Sequence, residues 1–134
     1  MEQNLVTGLR QNGSTLRRTG RQEFAIVSGD EVVGVVELFN YDAADARAET
    51  GIFVEASMRG KGIGKSAMAQ LLDHCRDTLS LHQVVCDVAV DNTASLHLFE
   101  SLGFTRCGLL REWTATPHGW TDAIRLQKLL TTNN

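Results

Sequence analysis

Residues 53–68 read FVEASMRGKGIGKSAM. An apolar, strand-like run ends near Val54, and a helix-like stretch begins near Gly64. Between them Gly60, Gly62 and Gly64 alternate with Lys61 and Ile63, just after Arg59. Backbone this bare either makes a turn that lets helix and strand pack closely, or it passes close to a ligand. A helix start offers unpaired N–H groups and the positive end of the macrodipole, which suits an anion. Arg59, Lys61 and Lys65 concentrate positive charge there, in a chain of net charge −3.

Two phosphate-binding patterns are compared with this stretch. The nucleotide loop G-x-x-x-x-G-K-[ST] matches at Gly64-Lys65-Ser66, but its first glycine falls on Arg59, so the match fails. The dinucleotide pattern G-x-G-x-x-G/A fits Gly62 to Ala67, after a strand and into a helix. Its partner acid belongs about 20 residues on, at a strand end. Asp87 is the nearest candidate and lies in the middle of a strand-like run, with too little chain after it for a doubly wound sheet.

Working outward, FAIV, SGDE and VVGVVELF (24–39) read as strand, tight turn and strand. ARAETGIFVE (46–55) is a third strand. After the glycines, Ala67, Met68, Leu71, Leu72, Cys75 and Leu79 recur at helical spacing. LHQVVCDVAV (81–90) is β-rich, of the kind found in a buried strand. DNTASLHLFESLGF (91–104) is a helix with Asp91 or Asn92 as N-cap, Gly103 as C-cap, and Ser95, Leu98, Phe99 and Leu102 on one face. TRCGLLREWTAT, PHG and WTDAIRLQKLL (105–130) form a closing hairpin. The order β-β-β-α-β-α-β-β contains one right-handed βαβ unit, hence one parallel pair among antiparallel neighbours. The expectation is an α/β (α+β mixed sheet) fold in a single domain over residues 1–134, with 1–22 a poorly specified arm and 23–130 the core. The arm is expected to hold one short element near Leu5–Leu9.

Composition agrees with a globular protein: 43% hydrophobic, 22% charged, one proline. The acidic balance argues against a nucleic-acid binder, and the start of the chain has no apolar leader-like core. No run is long enough for a membrane span. Cys75, Cys86 and Cys107 lack C-x-x-C spacing and read as reduced thiols of a cytoplasmic protein. His74, His82, His97 and His118 show no metal-ligand spacing, and core packing is expected for Trp113 and Trp120.

Arg59-Gly60-Lys61-Gly62-Ile63-Gly64 resembles the Q/R-x-x-G-x-G/A loop of the GCN5-related N-acetyltransferases. VAVDNTASLHLFESLGFTRCG (88–108) is similar to that superfamily's second signature: a strand, an Asn at a helix start, and a helix ending L-G-F. HGWTDAIRLQKLL (118–130) resembles the last hairpin of its spermidine and ribosomal-protein branch. The resemblance implies a mostly antiparallel central sheet whose one parallel pair splays to hold coenzyme A. It implies acetyl-CoA as cosubstrate, a primary amine such as a polyamine or a protein N-terminus as acceptor, and direct transfer between them. Arg59, Gly60, Lys61, Gly62, Ile63, Gly64 and Lys65 would then surround the diphosphate. Ile52, Phe53, Val54, Asn92, Ser95 and Phe99 would line the pantetheine arm, with the Val54 N–H polarising the thioester carbonyl.

An alkyl amine of pKa about 10.4 is mostly protonated at neutral pH, and freeing it costs about 4–5 kcal/mol. A carboxylate can take that proton. Glu49 matches the position of the family's carboxylate, with Glu37 on the neighbouring strand second. At Phe99 the polyamine branch carries a tyrosine that protonates the departing thiolate. That departure, with only a short segment before Glu23 where the family has a strand and two helices, raises an alternative: a module that binds acetyl-CoA without turning it over. The same short segment implies an open acceptor cleft or a second subunit completing it, hence a homodimer.

Overall fold

The computed structural model describes residues 7–13 and 15–130. Two strands joined by a tight turn at Gly29 (φ 62°) form its antiparallel centre: β2 (Gln22–Ser28) and β3 (Glu31–Asp42). Before them come β1 (Thr7–Gln11), antiparallel to β2, and a single helical turn, α1 (Leu16–Thr19). Both lie where the sequence pattern predicts only a poorly specified arm. The element expected near Leu5–Leu9 falls partly on residues 1–6, outside the described residues. Gln22 explains the order there. It is 3% exposed, accepts from the Thr15 N–H, and donates to the carbonyls of Gly13 and Glu23, so a buried amide stitches the segment to β2.

β4 (Arg47–Val54) follows, then a 3₁₀ turn (Ala56–Met58), α2 (Ile63–Asp77), β5 (Gln83–Ala89), α3 (Thr93–Ser101), β6 (Thr105–Thr116) and β7 (Gly119–Leu129). The seven strands form one mixed sheet in the order β1-β2-β3-β4-β5-β7-β6. Only β4 and β5 run parallel, and they pair only at Arg47–Gln83, Ala48–Val84 and Glu49–Val85. Beyond Glu49, β4 stays on β3 as far as Val54, while β5 stays on β7 as far as Ala89. The sheet therefore opens into a gap between the two halves.

α2 and α3 cover one face. Ala67, Met68, Leu71 and Cys75 of α2 pack with Ile26, Val36, Leu38, Val84 and Leu126 of the sheet. The sequence pattern predicts a β5 buried throughout, but the strand alternates. Val84, Cys86 and Val88 are buried on the helix side, while Gln83, Val85 and Asp87 are half-buried on the other face. Burial pushes the Cys75 and Cys86 thiols up to about 12, whereas Cys107 is exposed. A thiol reagent at mildly alkaline pH should therefore label Cys107 alone in the native protein, and the other two only after denaturant. Rapid labelling of all three without denaturant would contradict this packing. Among the described residues no helix is long and apolar enough to cross a membrane, and no group of three or more His, Cys, Asp or Glu is placed to hold a metal ion.

Candidate functional site

The gap between β4 and β5 opens onto a cleft of about 380 Å³. One wall is the end of β4 (Ile52, Phe53, Val54); the rim is the loop at Met58, Arg59, Gly60 and Gly62. The first turn of α2 (Ile63, Gly64, Lys65) and the start of α3 (Asn92, Ala94, Ser95, Leu98) complete it. Gly60 and Gly62 adopt left-handed backbone, φ 77° and 78°, so the bare loop is needed for the turn itself. Gly62 is also the N-cap of α2, no side chain caps the helix, and no acid sits in its first turn. The first N–H groups of α2 thus have no side-chain cap. Gly64 makes a different point. A Cβ there would touch only Ile52, Val54 and Leu98 side chains at 3.6–3.9 Å, ordinary contacts that the fold would tolerate. Gly64 also lines the cleft, so a side chain there would take up part of its volume.

Strand alternation fixes where the β4 backbone points. The Glu55 N–H donates to Val33 on β3 (2.9 Å), so the groups of Val54 and Ile52 point the opposite way, into the gap. The Val54 carbonyl accepts from Arg59 Nε (2.8 Å), whose guanidinium lies 5.6 Å from the centre of the Phe53 ring.

The carboxylates lie on the other face of the sheet. Glu49 is at the last paired position before the gap. Its Oε2 accepts from Asn40 Nδ2 (2.8 Å), and its Oε1 is 3.6 Å from Arg125. Arg125 is itself clamped by Asp87 through two bonds of 2.8 Å. That fork, with the nearby charge of Glu49, holds Arg125 more firmly protonated than an ordinary arginine. Glu37 is ion-paired with Arg21.

Most of the sequence-expected residues therefore converge on one cleft; the carboxylates Glu49 and Glu37, Lys61 and Phe99 are not part of its lining. Lys61 is exposed beside the loop, outside the cleft lining. Phe99 is 2% exposed and packs edge-on against Phe104, ring centres 5.0 Å apart. A helix turns about 100° per residue, so with Leu98 facing the cleft, Phe99 is carried into the core. Leu98 replaces it as the apolar lining residue, and its helical spacing from Ser95 is the sequence signal for it. Met58 and Ala94 have no such signal. Trp113 and Trp120, expected in the core, are 56% and 65% exposed on the β6–β7 ribbon.

Asn92 has two positions of interest at once: it lines the cleft, and its side chain accepts from the Ser95 N–H (3.2 Å) as N-cap of α3. Asn92→Ala should lower stability by about 1 kcal/mol, read as a shift in the denaturant midpoint with unchanged slope. No shift would mean the cap bond contributes nothing.

Comparisons with known proteins show the family and the fold. The model of the Acetyltransferase (GNAT) family matches residues 4–104. The uncharacterized N-acetyltransferase p20 of Bacillus licheniformis is 31% identical over 96 residues, covering 72% of this chain and 54% of the relative. The spermidine N(1)-acetyltransferase of Vibrio cholerae is 33% identical over 81 residues, covering 60% and 47%. The L-amino acid N-acyltransferase MnaT of Escherichia coli is 32% identical over 106 residues, covering 79% and 60%. The chain thus spans about half the length of the first two relatives. The dodecameric spermidine N-acetyltransferase structure from V. cholerae superposes with a TM-score of 0.81 at 26% identity, over 87% of this chain and 68% of that one. Because the family model matches well over half of its length, the chain belongs to the GNAT acetyltransferase family.

Proposed function

We propose that the protein transfers an acetyl group from acetyl-CoA to a primary amine by direct attack, with no acyl-enzyme intermediate. The observation that carries this reading is the run of the cleft, from the uncapped start of α2 into the gap between β4 and β5. An extended arm with an anionic end fits that shape: the anion against the α2 N–H groups, Arg59 and Lys65, the arm along β4 as an added strand. The names of the relatives, spermidine N(1)-acetyltransferase and L-amino acid N-acyltransferase, describe acyl transfer to nitrogen. Bound acetyl-CoA supplies an activated acyl thioester.

The chain's residues then have these roles. The Val54 carbonyl gives up Arg59 to an amide of the arm, and Arg59 turns to the diphosphate. Glu49 takes the ammonium proton, directly or through water. The strand rise refines the choice of N–H that polarises the thioester carbonyl. Val54 lies about 16 Å along the strand from Glu49 and Ile52 about 10 Å, at about 3.3 Å per residue. Both point into the gap, so the role moves from Val54 to Ile52, and Val54 pairs the arm further out. Glu37, tied to Arg21, is the second choice for the base. With Phe99 in the core, the thiolate leaves without a tyrosine; a thiol of pKa about 8.5 is an acceptable leaving group.

Two measurements test the proposal. Calorimetry should detect acetyl-CoA binding, and a panel of primary amines should show acceptor-dependent release of free thiol. No binding at millimolar ligand would end the reading; binding without turnover on any amine would leave only a binding module. Gly64→Ala separates a ligand role from a packing role. Its melting temperature should hold or rise, since alanine suits a helix better, while acetyl-CoA affinity falls at least about tenfold, the equivalent of 1.4 kcal/mol. Unchanged affinity would return the glycine to simple packing.

The three free thiols suit a reducing compartment, and we place the reaction in the cytoplasm. We also propose a homodimer. The edge strand β6 is exposed nearly throughout, and Leu109, Trp113 and Trp120 are more than half exposed beside it. Light scattering at the monomer mass would overturn the dimer.

A further inference from the structure

We propose that Asn40 and Arg125 are positioning residues that hold the Glu49 carboxylate in one orientation where β4 and β5 part. The inference rests on Glu49 acting as the base. Neither residue belongs to the cleft lining, and neither lies in the glycine-loop or 88–108 signature, although Arg125 falls in the closing-hairpin stretch 118–130.

Three independent features place them around Glu49. The first is a β-bulge. β3 and β4 pair at Phe39–Glu49 and next at Asp42–Arg47, so β3 carries an extra residue beside Glu49. Such bulges re-aim side chains and are found next to active sites. The second is backbone strain within that bulge. Asn40 has φ 49°, a left-handed conformation that Asn tolerates better than most residues, and its Nδ2 bonds Glu49 Oε2 at 2.8 Å. The third is a cross-strand clamp. Asp87 and Arg125 are direct partners on β5 and β7, and Arg125 spans β5 to come within 3.6 Å of Glu49 Oε1. Asp87 holds both Nε and one terminal nitrogen of the guanidinium, which keeps Arg125 on Asp87 with that terminal nitrogen 3.6 Å from Glu49 Oε1. One Glu49 oxygen is therefore fixed by a hydrogen bond. The other faces a cation at a stand-off distance and is left to receive a proton. The clamp also links β4 to β7 across β5 at Asp87, two residues beyond Val85, where the pairing of β4 with β5 ends.

The balance of the step is simple. The ammonium N–H bond breaks, its proton passes to Glu49, and its electron pair becomes the nucleophile. Asn40 and Arg125 exchange no proton and act only through where the carboxylate sits.

The test is a mutant cycle with three readouts: kcat and KM for the amine, acetyl-CoA affinity by calorimetry, and the Glu49 side-chain conformation in crystal structures of the variants. Asn40→Gly keeps the bulge without the donor. Asn40→Asp keeps the shape but cannot donate. Arg125→Lys keeps the charge but cannot serve Asp87 and Glu49 together. Each should lower kcat by about 10- to 100-fold, the loss expected from misplacing a reacting group by about 1 Å. Acetyl-CoA affinity and melting temperature should stay near wild type for Asn40→Gly, and its Glu49 carboxylate should be displaced. In a Glu49→Gln background the same substitutions should cost nothing more, because they act through Glu49. Wild-type kcat in both Asn40 variants, or full additivity with Glu49→Gln, would overturn the inference. Wild-type kcat in Glu49→Gln itself would instead remove the base reading and leave acetyl-CoA binding untouched, so the two failures are distinguishable.

Discussion

Glu49→Gln is expected to lower kcat at neutral pH by about 10²–10⁴-fold, the usual contribution of a general base. The substitution is nearly isosteric. A glutamine oxygen can still accept from Asn40, and Arg125 keeps both bonds to Asp87. Fold and acetyl-CoA affinity should therefore be retained, which separates lost chemistry from lost structure. The pH dependence carries the sign. At neutral pH the amine is protonated and needs a base. As pH rises toward the amine's own pKa, about 10.4 for an alkyl amine, the free form becomes abundant without help. The deficit should be largest near neutrality and shrink in alkali. A rate within twofold of wild type at neutral pH would remove Glu49 from the mechanism.

Gly34→Ala should be the most damaging single-methyl change. A Cβ at Gly34 would stand 2.2 Å from the Phe53 carbonyl oxygen and 3.0 Å from Val54 Cα, with Ile26 Cδ1 at 3.2 Å. The first two atoms are backbone and cannot rotate away. They also belong to the end of β4 that walls the cleft, so relief of the clash shifts the strand whose Ile52 and Val54 groups face the gap. The expected loss is about 2–3 kcal/mol, typical of overpacking, or about 10 °C in melting temperature for a domain of this size. Acetyl-CoA binding should weaken with it. Gly51→Ala is the control. Its Cβ would meet only the Glu37 side chain at 3.6 Å, an ordinary contact. Equal stability of the two variants would mean that the close approach at Gly34 is relieved elsewhere.

Local chemistry makes much of this fold and cleft legible in the sequence. Helical spacing from Ala67 to Cys75, the Asn92 cap, the turn at Gly29 and the glycine loop are each decided within a few residues, so pattern alone places them. The two signatures in order then locate the cleft. Pattern fails where direction or distant partners decide. Phe99 differs from Leu98 by one residue on a helix, yet one faces the core and the other the cleft. Trp113 and Trp120 are expected to pack in the core, but they stand more than half exposed on the β6–β7 ribbon, whose β6 is an edge strand of the sheet. The segment before β2 reads as poorly specified because its stabilising partner, the Gln22 amide, lies on the next strand.

The sequence by itself determined the order of strands and main helices from β2 onward, the parallel pair and the bare, positively charged loop, because periodicity, capping and glycine content are local properties. Tertiary structure alone decided that β4 and β5 part after Glu49. It also decided that Arg59 rests on the Val54 carbonyl, and that Asn40, Asp87 and Arg125 gather around one carboxylate. Those contacts join residues of β3, β4, β5 and β7. Sheet register brings them together, and no spacing along the chain records it.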